Sequence, residues 1–487
     1  MDSILKRLAT SGMAFQASSL LAGLLALFTL PLYTRSLTAA EFGYAETLLT
    51  LVILTSILLR AGLGEAFIRH WHEAGGDDAR RHLVRTTSGF VLISSTVALA
   101  VGILLAEPLS ELVLGTSDAA LMSAGVFGIW AFTNLEMAYA LLRISARRRA
   151  YLIASSINVI LTVGLTVTLV VFLDEGARGY VLGNYVASSI VLVGLWAFVL
   201  REHIGIPRGP LLLGPLLRYG APTIPADAAV FLLNVVDRAY LLRADSPTAA
   251  GLYSVAVKLA TAVIIFVRAF QLAWPPLAYS IVDDQRAQQV YARVTTAYMI
   301  VSSLLVAGFT LLGAWLVRLL TAPDFFAANE ALPWLALGWA LYGLYLVLVT
   351  IAGRAKVTVR TLPSAAAGLV VNFGLLIWLV PALGVVGAAI SLCVAYVAML
   401  GVLFVLTRNV FAVPFEWSRL VPLVVVVSTF SVAGELLIAN DGLTGFVLRT
   451  LVLLAIAPAL VGLRVVTVGE LKQLLEAVRR GRAAEAG

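Results

Sequence analysis

Ten charged side chains lie well inside apolar runs of this chain: Arg60, Arg238, Lys258, Arg268 and Arg449 against Glu46, Glu136, Asp227, Asp237 and Glu435. A charge held at the centre of a bilayer costs about 3 kcal/mol on insertion scales, so such residues usually face a wet interior, mark a substrate or ion path, or pair with one another. Lys258 is the sharpest case. It sits near the middle of AGLYSVAVKLATAVIIFVRAF (250–270), with Arg268 near one end, whereas the other lysines, Lys6, Lys356 and Lys472, lie between or beyond the apolar runs. Asp227, Asn234 and Arg238 are spaced by seven and four residues, which places them within about 40° of one another on one helix face. Such a polar stripe belongs on a cavity or against a polar partner helix.

A second reading pairs the charges with each other. Two helices turning near residue 246 bring Asp227 to the depth of Arg268, and Asp237 to the depth of Lys258. Glu435 and Arg449 match in the same way around their own turn, where a structural ion pair is the simpler account. Arg60 and Arg268 lie within reach of an interface to which long side chains snorkel.

These residues must be positioned by membrane helices. The chain of 487 residues is 61% apolar and 13% charged, far from the roughly 25% charge of a soluble domain. Fourteen runs of about 20 residues, the length that spans a bilayer, fall near 12–34, 42–62, 86–106, 119–142, 151–173, 179–200, 221–243, 249–271, 294–318, 331–352, 362–380, 384–406, 419–438 and 443–463. The first is too long for a cleaved signal and is read as a retained helix. Arginines and lysines collect in alternate loops, above all in RISARRRAY (143–151), while the intervening loops at 107–118, 173–179, 322–330 and 440–442 are short and acidic or neutral. The basic side is cytoplasmic, which puts both termini inside.

Sliding the chain against itself by 208 residues lays Gly12 on Gly220, Arg35 on Arg243, Gly43 on Gly251 and Arg60 on Arg268. The fold expected is therefore an all-α integral membrane protein of fourteen transmembrane helices. Two six-helix lobes, 1–205 and 206–410, are related by a pseudo-two-fold axis along the membrane normal, as in transporters that work by alternating access. Two further helices follow at 411–465, with a basic cytoplasmic tail at 466–487.

LPLYTRSLTAAEFGYAETL (30–48), AGLYSVAVKL (250–259), NEALPWLALGWALYGLYLVLVTIAGRAKVT (329–358) and LGVVGAAISLCVAY (383–396) resemble segments of the polysaccharide and oligosaccharide-lipid flippases of the multidrug/oligosaccharidyl-lipid/polysaccharide exporter superfamily. The resemblance covers nearly the whole chain in order. It implies a multi-pass protein of a bacterial inner membrane that carries an undecaprenyl-diphosphate-linked sugar unit to the outer leaflet, through a cavity lined by the first two helices of each lobe. Polysaccharide polymerisation and export proteins are the partners it suggests.

Such a cargo needs cations: Arg grips phosphate oxygens bidentately and Lys acts as a compact point charge. Lys258, Arg268 and Arg60 are assigned to that role, with Arg238 near the outer exit; Tyr253, Trp274, Gln16, Ser18, Ser19 and Asn234 are placed against the sugar. Asp237, Asp227 and Glu46 are candidates for proton or sodium coupling, and no cofactor is expected.

Rival readings remain in the same superfamily, as an ion-coupled multidrug extruder or a lipid-linked peptidoglycan precursor flippase. A cavity for organic cations calls for acids, and the first span holds none. A sugar polymerase or ligase needs catalytic groups on a large external loop, and the external loops run to about twelve residues at most. The four histidines sit among arginines without metal-ligand spacing, and no Walker A motif is present, so the chain does not itself hydrolyse ATP. Cytosol-restricted reporters fused to either terminus are expected to be active; an inactive fusion at one end would revise the number of crossings.

Overall fold

A computed structural model describes residue 23, residues 25–203, 205, 213–221, 224, 231–233 and 235–466. The candidates Gln16, Ser18, Ser19, Asp227 and Asn234 lie outside the described residues, as does most of the basic tail. Regular structure among the described residues is helical throughout, as lipid demands of a backbone that must satisfy its own hydrogen bonds.

In chain order the helices are α1 (Ala39–Leu59), α2 (Leu63–Glu73), α3 (Asp77–Leu104), α4 (Ala106–Leu114), α5 (Ala119–Ile144), α6 (Arg148–Val167), α7 (Gly176–Gly194) and α8 (Leu213–Gly220). There follow α9 (Val236–Ala244), α10 (Pro247–Leu259), α11 (Thr261–Ser280), α12 (Asp284–Leu320), α13 (Leu332–Arg354), α14 (Thr361–Thr407), α15 (Trp417–Leu437) and α16 (Gly442–Gly462). Among the described residues, eleven helical stretches are long and apolar enough to cross a membrane. Thr261–Ser280 overlaps only the second half of 249–271, and the other ten coincide with eleven of the expected spans, because Thr358–Thr407 contains both 362–380 and 384–406. Those two meet at Gly384, whose φ of +52° and ψ of −127° bend α14 in a region that favours glycine. The remaining spans, 12–34 and 221–243, fall partly outside the described residues.

Local chemistry sets several helix ends. Thr38 caps α1: its hydroxyl accepts from the Glu41 amide at 3.2 Å, while the Glu41 carboxylate accepts from the Thr38 amide at 2.9 Å, the two halves of a capping box. Asp118 caps α5 by accepting from the Leu121 amide at 2.9 Å.

Two expectations change. The span 249–271 is divided: α10 stops at Leu259 and α11 starts at Thr261, immediately after Lys258. Pro275 and Pro276 follow that run, where prolines ordinarily end a helix, yet they lie within α11, which continues to Ser280. A proline removes one amide donor and crowds one carbonyl, a loss that membrane helices accommodate when neighbouring groups satisfy the freed backbone.

The described residues form two compact units. One comprises those up to Leu259 with Leu320–Ala328 and Gly368–Leu392; the other comprises Ala260–Leu319, Asn329–Ala367 and those from Cys393 onward. Within the first unit, α1 and α10 cross backbone to backbone. A Cβ on Gly43 would strike the Pro247 carbonyl and the Gly251 amide, and one on Gly251 would strike the Ala39 carbonyl and approach the Gly43 amide. The contact is reciprocal under the 208-residue offset, which carries 39 to 247 and 43 to 251. Small residues at four-residue spacing allow this approach. At the other end of α1, Gly62 and Gly220 also meet backbone to backbone, and Gly62 has φ +69°.

In the second unit Arg354 ties the end of α13 to the α11–α12 turn. It donates to the Ala278, Ile281 and Val282 carbonyls at 3.2, 2.8 and 3.3 Å and to Asp284 at 2.7 Å.

Gly43→Leu or Gly251→Leu is expected to destabilise the detergent-purified protein by about 2–4 kcal/mol, read as a fall of several degrees in its thermal midpoint, since backbone cannot yield as a side chain does. Gly308→Leu, at a position with open space around it, should move the midpoint little.

Candidate functional site

The cations nearest the α1–α10 crossing share one acid. Glu46 follows Gly43 by one turn on α1 and is 5% exposed. Its Oε1 accepts from Lys258 Nζ at 2.9 Å and from the Tyr180 hydroxyl at 2.9 Å. Its Oε2 lies 3.5 Å from Arg238 Nη1, which also donates to Thr50 Oγ1 at 3.1 Å. Arg238 and Lys258 side chains are 12% and 21% exposed, and Lys258 Nζ stands 5.8 Å from the Phe42 ring centroid. The Nε of Arg238 is buried without a hydrogen-bond partner among the described residues. One carboxylate thus serves two guanidinium and ammonium charges, which leaves the trio with a formal charge of +1.

Helical geometry explains who meets whom. Asp237, at the same depth as Lys258, is not its partner. The Asp237 side chain is fully buried; Oδ2 accepts from the Tyr253 hydroxyl at 2.6 Å and Oδ1 from Asn372 Nδ2 at 3.2 Å. Tyr253 precedes Lys258 by five residues, about 140° around α10, so when Tyr253 turns to Asp237 on α9, Lys258 turns to α1. Depth follows from counting residues, whereas azimuth decides contact. The Oδ1 of Asn372 is left without a hydrogen-bond partner among the described residues.

The other sequence candidates lie elsewhere. Arg60, at the opposite end of α1, is 4.0 Å from Glu136, which Arg143 also approaches at 3.8 Å. Arg268 belongs to the second unit, where it is exposed. Trp274 is buried there against Tyr291, with centroids 4.7 Å apart. Asp227, Asn234 and Gln16 lie outside the described residues. Arg449 meets Glu435 and reaches the Ile438 carbonyl at 2.7 Å, the structural pair that equal depth around one turn suggested.

Three members of the cluster were not singled out as site residues by the sequence reading. Tyr180 lies 134 positions from Glu46, too far for any local pattern to connect them. Asn372 lies 135 positions from Asp237, equally beyond the reach of a local pattern. Thr50 carried a usable signal: the 208-residue offset that superposes the glycines places Thr50 on Lys258.

This arrangement can exchange partners. A carboxylate that neutralises two cations holds them until another anion offers equivalent oxygens, and both an ammonium and a guanidinium bind phosphate as readily as carboxylate.

A family model described as polysaccharide biosynthesis protein matches residues 10–282. Among solved structures, "Lipid II flippase MurJ, inward closed conformation" superposes with a TM-score of 0.75 at 14% identity, over 92% of this chain and 97% of that one. An inward-facing multidrug resistance MATE family transporter of the MOP superfamily gives 0.63 at 14% identity, over 82% and 95%. The Vibrio cholerae MATE transporter VcmN in its bent form gives 0.53 at 16% identity, over 84% and 98%. At these identities the likeness is one of fold. No curated protein matches the sequence.

Removing one member of a buried charge cluster costs about 3–5 kcal/mol because it strands the others. Glu46→Met is therefore expected to lower thermal stability sharply. Adding Arg238→Met and Lys258→Met should restore most of it; a triple variant no more stable than the single one would mean that the charges are not coupled.

Proposed function

Because the chain belongs to the polysaccharide biosynthesis protein family, we propose that it is a flippase that carries a polyprenyl-diphosphate-linked oligosaccharide from the cytoplasmic to the outer leaflet by alternating access. The observation that carries this reading is the shared acid: Lys258 and Arg238 both depend on Glu46. A diphosphate head group cannot be solvated by lipid and must find cations inside the protein. When it arrives, its oxygens replace Glu46 at Lys258 and Arg238, and the cost of burying the phosphates is met by cations already desolvated. On release the cations return to Glu46, so the empty carrier never holds them unpaired. Tyr180 and Thr50, which hydrogen-bond Glu46 and Arg238, fix the orientation to which the pair returns. The polyprenyl chain stays in lipid throughout.

The two lobes of six helices supply the moving parts in this reading, and the reciprocal crossing at Gly43 and Gly251 supports the duplication on which they rest. Asp237, Asp227 and Glu46 are the residues proposed to couple transport to protons or sodium. Asp237 is the strongest of them, since it is fully buried and receives only neutral donors, Tyr253 and Asn372. The superposition on a lipid II flippase favours one second reading, in which the passenger is a lipid-linked peptidoglycan precursor.

Lys258→Glu is expected to abolish flipping of a fluorescent polyprenyl-diphosphate glycan in reconstituted vesicles, at least about 100-fold for two lost charge-assisted contacts, with protein levels unchanged. Retained transport would end the assignment of this cluster. Gene deletion should accumulate lipid-linked oligosaccharide intermediates; accumulation of the peptidoglycan precursor instead would select the second reading. Collapsing both proton and sodium gradients should stop net transport.

A further inference from the structure

A second basic site lies away from the Glu46 cluster, where α2 and α8 pack side by side. Both helices are amphipathic. Leu63, Ala66, Phe67 and Trp71 of α2 and Leu216 of α8 enter one apolar core with α3, α5 and α7, while Arg69, His70 and Glu73 remain on the other face of α2. Between the helices is a cavity of about 600 Å³, lined by Arg69, His70, Glu73, Pro215, Arg218 and Tyr219 together with Gly214. Arg69 stacks over the Tyr219 ring at 4.7 Å and gives its Nε to Glu73 at 3.1 Å; His70 Nδ1 is engaged by the Ala66 carbonyl at 2.9 Å. Arg218 is exposed and makes no ion pair among the described residues. Two arginines therefore face one cavity with a single acid between them.

We propose that this cavity binds a phosphate-bearing anion, with Arg69 and Arg218 as its two cationic walls and Tyr219 as an apolar floor for the group attached to the phosphate. A planar guanidinium already immobilised against an aromatic ring is pre-organised for oxyanions. A volume of this size admits a compact polar head, and the aromatic wall excludes a bare hydrated ion as the best fit. The ligand is either the head group of an anionic phospholipid or a water-soluble phosphate ester. By the distribution of basic loops the cavity opens at the cytoplasmic interface, where anionic lipid attracts basic segments. Its occupancy has a structural effect: an anion shared by Arg69 and Arg218 bridges α2 to α8 beside the Gly62–Gly220 backbone contact, and so fastens that corner.

The test uses the full-length protein in nanodiscs of phosphatidylcholine with or without phosphatidylglycerol, and native mass spectrometry of the lipid retained. Phosphatidylglycerol should be retained in preference to phosphatidylcholine, and Arg69→Gln with Arg218→Gln should reduce that preference roughly ten-fold. Arg80→Gln with Arg81→Gln, which removes equal charge from the nearby start of α3, should not. Arg69→Lys with Arg218→Lys, which keeps the charge, should retain part of the preference. Glycerol 3-phosphate bound in pure phosphatidylcholine discs, and lost in the same double variant, assigns the site to soluble esters. Equal retention by wild type and the Gln double variant, or loss shared equally with the Arg80 and Arg81 control, overturns the proposal. None of these outcomes depends on transport, so the flippase reading stands or falls separately.

Discussion

Everything about the Glu46 cluster follows from how little solvation a membrane interior offers an ion. In water a carboxylate, an ammonium and a guanidinium would gain about 1 kcal/mol from proximity; at low effective dielectric the same contacts decide which side chains may exist at that depth at all. The chain resolves this by gathering Glu46, Arg238 and Lys258 around one another, with Tyr180 and Thr50 adding one hydrogen bond each. The surplus positive charge is a single unit. Asp237 is handled differently, with two neutral donors and full burial. One helix neighbourhood thus contains a carboxylate that holds cations and another that holds only hydrogen bonds.

The spans were legible because hydropathy over twenty residues is a strong signal that tertiary packing rarely reverses. The bend at Gly384 was legible too, since PALG interrupts two apolar runs. Helix interruption within a run was not: nothing in VAVKLATAV announces the stop at Leu259, and Pro275 with Pro276 announces a stop that does not occur. Both cases turn on whether neighbouring groups satisfy a freed backbone carbonyl, a property of the folded surroundings. Partner choice was half legible. Residue counting gave the depths of Lys258 and Asp237 and paired Glu435 with Arg449 correctly across a single tight turn. It failed for Lys258 because a third helix, α1, offered a better acid on the right azimuth.

The 208-residue offset relates the two sides of the α1–α10 crossing. Ala39 and Gly43 lie on Pro247 and Gly251 with exchanged roles, as residues do about a two-fold axis. The polar groups one turn further along break that symmetry: Glu46 corresponds to Ser254 and Thr50 to Lys258. The packing at the crossing is thus symmetric under the offset, while the electrostatics beside it are not.

The glycine crossing also sets how firmly the two helices adhere. Lipid tails compete with apolar side chains on equal terms, so no hydrophobic drive holds helices together there, and a seam of close backbone adheres by van der Waals packing with few rotamers to surrender on assembly. Such a joint locates the helices as a bearing locates a shaft, with sharp register. The ionic knot of Glu46, Lys258 and Arg238 sits about one turn beyond it, so the register set at the glycines also fixes which charges meet.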